Sequence, residues 1–126
     1  SQAWEIGRGG LLNNQYTYTD NSRFGLRMWG RWNVLIPQTG NYNVYVYIPN
    51  HPGATSNARY RVFHAGVLGP VVTVDQGANT GQWVLLGKYL FNRNATQYVY
   101  LNDLTFETSG TRDVLFDAVQ FVYAGQ

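Results

Sequence analysis

Apolar and polar residues alternate along most of the chain, most clearly in the segment NYNVYVYIP at residues 41–49. Successive side chains of a β-strand point to opposite faces of a sheet, so this alternation predicts a strand with one face on the core. The even-numbered residues from Tyr42 to Ile48 share that face. Tyr45 and Tyr47 take the opposite face, where we would otherwise expect small polar residues.

No segment has the 3.6-residue period of an amphipathic helix, and Gly, Asn, Asp and Pro separate the short apolar blocks. Eight or nine short strands in 126 residues predict an all-β protein. The architecture that we expect is a two-sheet β-sandwich of jelly-roll type, formed as a single domain over residues 1–126. The predicted strands lie near residues 2–6, 15–19, 28–36, 42–49, 58–65, 70–75, 83–91, 97–102 and 113–123.

The N-terminal segment, residues 1–12, combines a short strand with a cluster of glycines. Glycine gives the backbone freedom at an entropic cost. Two interpretations stay open. The glycines form a bulge or turn that lets the first strand pair within its own fold, or they form a hinge across which the strand is donated to a neighbouring subunit. The residues concerned in this self-association are Trp4, Ile6, Gly7, Gly9 and Gly10.

Composition and charge exclude several classes of partner. The formal net charge is only +2, so no basic field indicates nucleic acid as a partner. No apolar run is long enough to cross a bilayer, and we expect no membrane insertion. The richness in Tyr, Asn, Gly and Thr resembles that of extracellular β domains, so we expect an extracellular or cell-surface location. Lys88 is the single lysine beside eight arginines, and arginine suits flat or bidentate partners.

The titratable residues form no catalytic or metal-binding motif along the sequence. His51 and His64 have no local Asp, Glu or Cys partner at a ligand spacing, so we expect neither an enzyme nor a cofactor. Residues 20–22 and 102–103 carry oxygen ligands of the kind that calcium prefers, but ordinary Asx turns explain them more simply. Asn94 opens the sequon Asn-Ala-Thr in a predicted turn, where an N-linked glycan could be attached.

Aromatic rings are left on the outer faces once the core is filled. Tyr-x-Tyr occurs three times, and in the last two occurrences the intervening residues are better core candidates. Exposed rings stack on sugars, and arginine binds acidic groups, but tyrosine is also frequent at protein interfaces and in exposed cross-strand pairs. These explanations stay open. The candidate ligand-binding residues are Arg27, Trp29, Arg31, Tyr45, Tyr47, Tyr98 and Tyr100.

Two further tryptophans are expected in the core. Trp32 shares parity with Val34 and Ile36, so it should face the same side as these apolar residues. Trp83 alternates with Leu85 at the start of another strand. Both patterns are typical of a buried strand face.

The segment VTVDQGANTGQWVLLGKYLF at residues 72–91 resembles the golvesin C-terminal-like domain, which is also found at the C-terminal end of xanthan lyases. The segments at residues 40–49, 58–66 and 115–121 resemble it in the same order. The resemblance implies a jelly-roll β-sandwich that is usually appended to secreted bacterial enzymes and surface proteins as a noncatalytic, often carbohydrate-associated module. Its landmarks, which we interpret as structural, are Trp32, Asp75, Gln76, Gly81, Trp83 and Asp117.

Two functions remain from these observations. The first is a noncatalytic extracellular module that binds polysaccharide or cell-surface glycan through exposed aromatic residues. The second is an extracellular fibre subunit, a homopolymer in which each chain donates its first strand to the next. An enzyme is a distant third, because no constellation of catalytic residues supports it.

Overall fold

The structure is a computed structural model that describes residues 5–12, 15–23 and 28–126. All regular secondary structure in this part of the chain is β, as the alternation predicts. Among these residues no helix has the length and apolarity that crossing a bilayer requires. The strands are β1 (Glu5–Leu12), β2 (Gln15–Asp20), β3 (Trp29–Asn33), β4 (Gly40–Ile48), β5 (Ala58–His64), β6 (Val67–Leu68), β7 (Val72–Val74), β8 (Gln82–Phe91), β9 (Tyr98–Asn102), β10 (Asp113–Phe116) and β11 (Val119–Gly125).

The strands form three antiparallel sheets whose buried faces contribute to one core. The first sheet has the order β1-β2-β10 and the second β11-β4-β8. The third has the order β3-β9-β5-β6, with β7 also paired to β5. This arrangement confirms the predicted all-β sandwich. The described residues form three sheets and eleven strands, where two sheets and eight or nine strands were predicted. The jelly-roll connectivity stays a prediction.

Strict alternation places the core in β4 and β9. Every even-numbered residue from Tyr42 to Ile48 is buried, whereas Tyr45 and Tyr47 are partly exposed on the other side. In β9 the two fully buried residues, Val99 and Leu101, lie between partly exposed neighbours. Side chains that leave these two strands on the opposite side therefore point away from the core.

A buried glutamine joins two of the sheets. The side-chain amide of Gln76 donates hydrogen bonds to the Tyr60 hydroxyl (2.9 Å) and to the Leu115 carbonyl oxygen (2.9 Å). Its oxygen accepts a hydrogen bond from the Leu115 backbone N–H at 2.9 Å. All three polar positions of the Gln76 side chain thus have partners, as burial requires. This supports the interpretation of Gln76 as a structural landmark.

The C-terminal strand predicted over residues 113–123 is two strands. β10 pairs with β2 in the first sheet, and β11 pairs with β4 in the second. The chain crosses between the sheets at residues 117–118, where the Tyr47 N–H donates to the Ala118 carbonyl oxygen at 2.9 Å. A continuous apolar pattern does not show such a crossing, because the side chains on both sides of it still face one core.

The glycine cluster near the N-terminus lies inside a strand, not in the turn that could have followed the first strand. β1 contains Gly7, Gly9 and Gly10, and pairs with β2 of the same chain through a register irregularity between Arg8 and Leu12. A Cβ atom at Gly7 would lie 2.1 Å from the Cζ atom of Tyr16, so the ring of Tyr16 occupies the space above this glycine. Pairing within one chain fits the bulge interpretation. Donation of β1 to a second chain stays a prediction.

Two of the predicted self-association positions lie outside what the structure describes. Trp4 is not among the described residues, and for Ile6 only the backbone is described, within β1. The shared face that the sequence predicts for these two side chains is therefore an expectation only.

Trp83 is not in the core, contrary to the prediction. In the pairing of β4 with β8, Gly87 lies opposite Val44 but Leu85 lies opposite Tyr45, so Leu86 is an extra residue that forms a bulge. The bulge reverses the alternation along β8. Trp83 and Leu85 consequently point outward and are 41% and 51% exposed.

The core prediction for Trp32 is confirmed. Its indole packs on the core and stacks on the ring of Phe116, with the ring centroids 6.0 Å apart. β3 has no bulge in its pairing with β9, so the alternation of this strand holds.

Candidate functional site

The outer face of strands β3, β9 and β5 carries aromatic rings and arginines. Buried residues alternate with them along β9 and β5, which fixes the direction of each outward side chain. The face rests on paired strands, so its side chains have a rigid support. We call this the arginine–aromatic face and define it by Trp29, Arg31, Arg59, Arg61, Phe63, Tyr98 and Tyr100.

The register of the three strands sets the residues in rows. Arg31 of β3 lies opposite Tyr100 of β9, which in turn lies opposite Arg61 of β5. In the next row, Tyr98 lies opposite Phe63. Neighbouring strands are about 4.8 Å apart, so one tyrosine has an arginine on each side within reach of a single sugar unit.

Ring contacts organise the face before any ligand binds. The rings of Trp29 and Tyr100 stack, with centroids 6.0 Å apart and planes inclined by 29°. The rings of Tyr98 and Phe63 stack at 5.1 Å and 16°. The Arg31 guanidinium carbon lies 4.6 Å from the centroid of the Tyr98 ring. Trp29 is nevertheless 52% exposed, so its indole remains available for a further contact.

The charge on this face has one sign. None of the outward residues of β3, β5 and β9, all of which the structure describes, is Asp or Glu. Arg59 stacks on Phe106 at 4.8 Å, and the Arg61 Nε–H donates to the Gly69 carbonyl oxygen at 2.8 Å. Within the described residues, Arg31, Arg59 and Arg61 form no ion pair with a carboxylate.

The structure separates the residues that the sequence grouped as one site. Trp29, Arg31, Tyr98 and Tyr100 come together, and Arg27 lies outside the described residues. The remaining two tyrosines of the group, at positions 45 and 47, lie on the second sheet. Because the second and third sheets both turn their inner sides to one core, their outer sides point away from each other.

The outer side of the second sheet forms a neutral aromatic face. Trp83 lies directly opposite Tyr47, and their rings make an edge-to-face contact with centroids 5.3 Å apart. Lys88 lies opposite Asn43 in the pairing of β4 with β8, and this register gives its charged side chain an outward position. We define the neutral aromatic face by the uncharged residues Tyr45, Tyr47, Trp83, Leu85 and Gln120, and Lys88 lies beside them on the same side of the sheet.

The sequence analysis missed three members of the arginine–aromatic face, Arg59, Arg61 and Phe63. The signal was present, because they alternate with the buried residues Tyr60 and Val62 in the segment ARYRVFH of β5. Their position beside β9, however, depends on the strand order of the sheet. Local pattern does not give that order.

A second polar cluster joins three distant parts of the chain. His51 Nε2 lies 2.6 Å from Asp113 Oδ2, and its Nδ1 lies 2.6 Å from the Tyr16 hydroxyl oxygen. The Tyr18 ring packs on the imidazole at 4.3 Å. Burial, together with nearby Tyr18 and Asp113, raises the pKa of Tyr16. Both ring nitrogens of His51 are thus used in tying β2 and β10 to the loop after β4, which indicates a structural role.

The segments considered for calcium make protein hydrogen bonds. The Asn21 side-chain amide donates to Thr105 Oγ1 (2.8 Å), and its oxygen accepts from the Arg112 N–H (2.9 Å). Asn102 Oδ1 accepts from the Leu104 N–H at 2.9 Å, the bond of an Asx turn. Among the described residues no group of three His, Asp or Glu side chains is placed to hold a metal ion.

The sequon asparagine lies in a turn, as its sequence context predicts. Asn94 is exposed and has a φ of +64°, in the left-handed region that asparagine tolerates better than most residues. A glycan attached there would point into solvent. Modification of Asn94 stays a prediction.

Comparison with known proteins supports the resemblance read from the sequence. The family model of the Golvesin C-terminal domain matches residues 2–123. A Paenibacillus xanthan lyase of known structure matches 97% of this chain with a TM-score of 0.82 and 25% sequence identity. The chain spans 11% of the length of that lyase. No curated protein shows significant sequence similarity to the chain.

Proposed function

The chain belongs to the Golvesin C-terminal domain family, and on that premise we propose that it is a noncatalytic extracellular module that binds polysaccharide through its arginine–aromatic face. The observation that carries the proposal is the stacked Trp29–Tyr100 pair, whose indole is half-exposed beside arginines. The likeness to a xanthan lyase, a protein named for a polysaccharide, supports both the ligand class and the location.

The chemistry of the face suits a sugar polymer. Aromatic rings present apolar surfaces on which pyranose rings stack, while tyrosine hydroxyls and guanidinium groups bond to sugar hydroxyls. The side chains project from regular strands, so little conformational entropy is lost when a ligand orders them. An open sheet face also accepts the middle of a long chain, whereas a closed pocket accepts only an end.

The same face lacks the groups that glycoside hydrolysis would need. Glycoside hydrolysis requires a pair of carboxylates on either side of the scissile bond. The outward positions of β3, β5 and β9 include no Asp or Glu. Binding without hydrolysis is therefore the activity that these residues support.

Affinity electrophoresis in gels that contain neutral or acidic polysaccharides tests the proposal. The protein should be retarded by at least one polymer, and Trp29→Ala should weaken binding by about threefold to tenfold, the effect of losing one aromatic contact. Trp83→Ala removes the same side chain from the neutral aromatic face and is the matched control. Unchanged mobility in every gel, or an equal loss in both variants, would contradict the proposal.

A second candidate function, self-assembly, is favoured by a different observation. Among the described residues β1 lies at the edge of its sheet and pairs with β2 alone, so exchange of β1 between chains would preserve each of these backbone pairings. Electron microscopy of the unliganded protein should then show filaments. Deletion of residues 1–10 should leave soluble monomers, and filaments that persist after the deletion would exclude strand donation.

A further inference from the structure

The arginines of the arginine–aromatic face are held in place without being neutralised. Arg31 stacks over the ring of Tyr98 and Arg59 over that of Phe106. The N–H groups of a guanidinium lie in its own plane, so contact of its flat side with a ring leaves them free to form hydrogen bonds at its edge. The ring contacts hold these side chains, and neither guanidinium group makes a hydrogen bond to the described residues.

Arg61 is oriented by a different contact. Its Nε–H donates to the Gly69 carbonyl oxygen at 2.8 Å, which holds the side chain on the β6 and β7 side of β5. The two terminal amino groups make no hydrogen bond to the described residues. Such a pair of parallel N–H donors matches the two oxygens of a carboxylate.

The row Arg31–Tyr100–Arg61 combines these donors with a stacking platform. Tyr100 lies between the two arginines in the register of three adjacent strands, and Trp29 stacks on it. The backbones of the outer two strands are about 10 Å apart, twice the usual strand spacing. A sugar ring on the Trp29–Tyr100 pair would thus have cationic donors on both sides.

We propose that the face selects polysaccharides whose sugar units carry carboxylate groups. The sugar ring lies on the Trp29–Tyr100 pair, and Arg31 and Arg61 bind the carboxylates on either side. The inference rests on the proposed function and narrows it to one class of ligand. Charge complementarity is the reason: a cationic face without a carboxylate of its own attracts an anionic polymer and gains less from a neutral one.

A polyuronate and its carboxyl-reduced form, matched in length, provide the test. Isothermal titration at low ionic strength should give at least about tenfold tighter binding to the polyuronate. The difference should shrink when the ionic strength is raised from about 0.01 M to about 1 M, which shortens the Debye length from about 30 Å to about 3 Å. Equal affinity for the two polymers would overturn the inference and leave the proposed function intact.

Single substitutions show which residues cause the preference for the polyuronate. Arg31→Gln and Arg61→Gln should each weaken binding to the polyuronate about tenfold, and should weaken binding to the reduced polymer less, because only bonds to sugar hydroxyls are lost there. Lys88→Gln removes one charge beside the neutral aromatic face and should change neither affinity. An equal loss with Lys88→Gln would indicate attraction by net charge and overturn the inference.

Two further results keep the test decisive. Arg31→Lys retains the charge but not the paired donors, so an affinity below that of the parent protein supports recognition by the guanidinium edge. An affinity equal to that of the parent contradicts such recognition. Binding to neither polymer would overturn the inference and would also count against the proposed function. Circular dichroism of each variant should match that of the parent, since every changed side chain is at least partly exposed.

Discussion

The two outer faces of the sandwich contain similar rings but differ in the residues around them. On the arginine–aromatic face, Trp29 stacks on Tyr100, and arginines lie on both sides of the tyrosine. On the neutral aromatic face, Trp83 contacts Tyr47 edge to face, and Leu85 extends the apolar surface. One face thus offers charge with stacking, and the other offers apolar area.

This difference shows that exposed aromatic residues do not by themselves identify a ligand. The same alternation of inward and outward residues produces both faces, but only one has open guanidinium edges. Exposed apolar area is typical of contacts with another protein surface. Oriented arginines without acidic partners are typical of a site for an anionic ligand. The charge that accompanies the rings therefore decides the interpretation.

The largest predicted effect tests whether the residues of the arginine–aromatic face lie outside the core. Leu101→Ala should lower the free energy of unfolding by about 2–5 kcal/mol, because the side chain is fully buried. Tyr100→Ala at the neighbouring position should cost about 1 kcal/mol or less. Urea denaturation followed by tryptophan fluorescence measures both. Similar losses for the two variants would show that the alternation of β9 is not what separates core from face.

Reversing one charge on or beside each face gives the next largest effect. Arg31→Glu should weaken binding to an acidic polysaccharide by about tenfold or more, since a carboxylate would then repel the ligand. Lys88→Glu makes the same change in charge beside the neutral aromatic face and should alter the affinity by less than about twofold. Titration calorimetry compares them under identical conditions. If Lys88→Glu proves as damaging as Arg31→Glu, the two faces do not differ in the way that their charges suggest.

The sequence predicts the fold best where strands are regular. In β4 and β9 the alternation gives the core residues and the outer residues correctly. Neither strand contains an extra residue, so the inward and outward positions keep the same order along the whole strand. The number of short strands and the family resemblance both predict the sandwich, which the structural match confirms. Turn-forming residues mark most of the strand ends, since Gly, Pro, Asn and Asp have clear backbone preferences.

Trp83 shows where local pattern is insufficient. Its alternation with Leu85 predicts burial, but the extra residue Leu86 reverses the faces of β8. Gly87, a glycine inside a strand, is the signal that could have warned of a bulge. A hydrophobic pattern does not register one inserted residue when the residues on both sides of it are apolar.

The candidate site was predictable only in part, because it depends on which strands become neighbours. Trp29 with Arg31, and Tyr98 with Tyr100, follow from two-residue spacing within single strands. The addition of Arg61 requires that β5 pairs with β9, a contact between residues far apart in the chain. Such pairings are decided by packing of the whole core and not by any short segment.

A smaller effect separates ring stacking from the hydroxyl group on the arginine–aromatic face. Tyr98→Phe keeps the ring beneath Arg31 and should leave binding to an acidic polysaccharide within about twofold of the parent. Tyr98→Leu removes the π-face and should weaken binding by about twofold to fivefold, the range for an exposed cation–π contact. Tyr47→Leu is the matched change on the neutral aromatic face. Binding lost equally in Tyr98→Phe and Tyr98→Leu would assign the effect to the hydroxyl instead.

The smallest effect concerns pH and the segment that borders the arginine–aromatic face. Glu107 follows Phe106, the ring on which Arg59 stacks, and accepts hydrogen bonds from Thr55 and Ser56. Burial raises the pKa of Glu107, but these hydrogen bonds outweigh it and hold the pKa below its ordinary value of 4.5. The carboxylate therefore stabilises the folded state fully above that value, and this contribution is lost as the pH falls through the lower folded-state pKa.

Glu107→Gln should lower the free energy of unfolding at neutral pH by a few tenths of a kcal/mol, since solvent screens a partly exposed carboxylate. The difference in free energy of unfolding between variant and parent should stay constant as the pH falls to the ordinary carboxyl pKa of 4.5, and it should disappear at more acidic pH. Lys88→Gln, which removes no carboxyl group, should show a gap in the free energy of unfolding that does not depend on pH in the same urea titrations. A difference in free energy of unfolding between the parent and Glu107→Gln that grows towards acidic pH would contradict this prediction. It would mean that the protonated side chain, and not the carboxylate, holds the Phe106 segment beside Arg59.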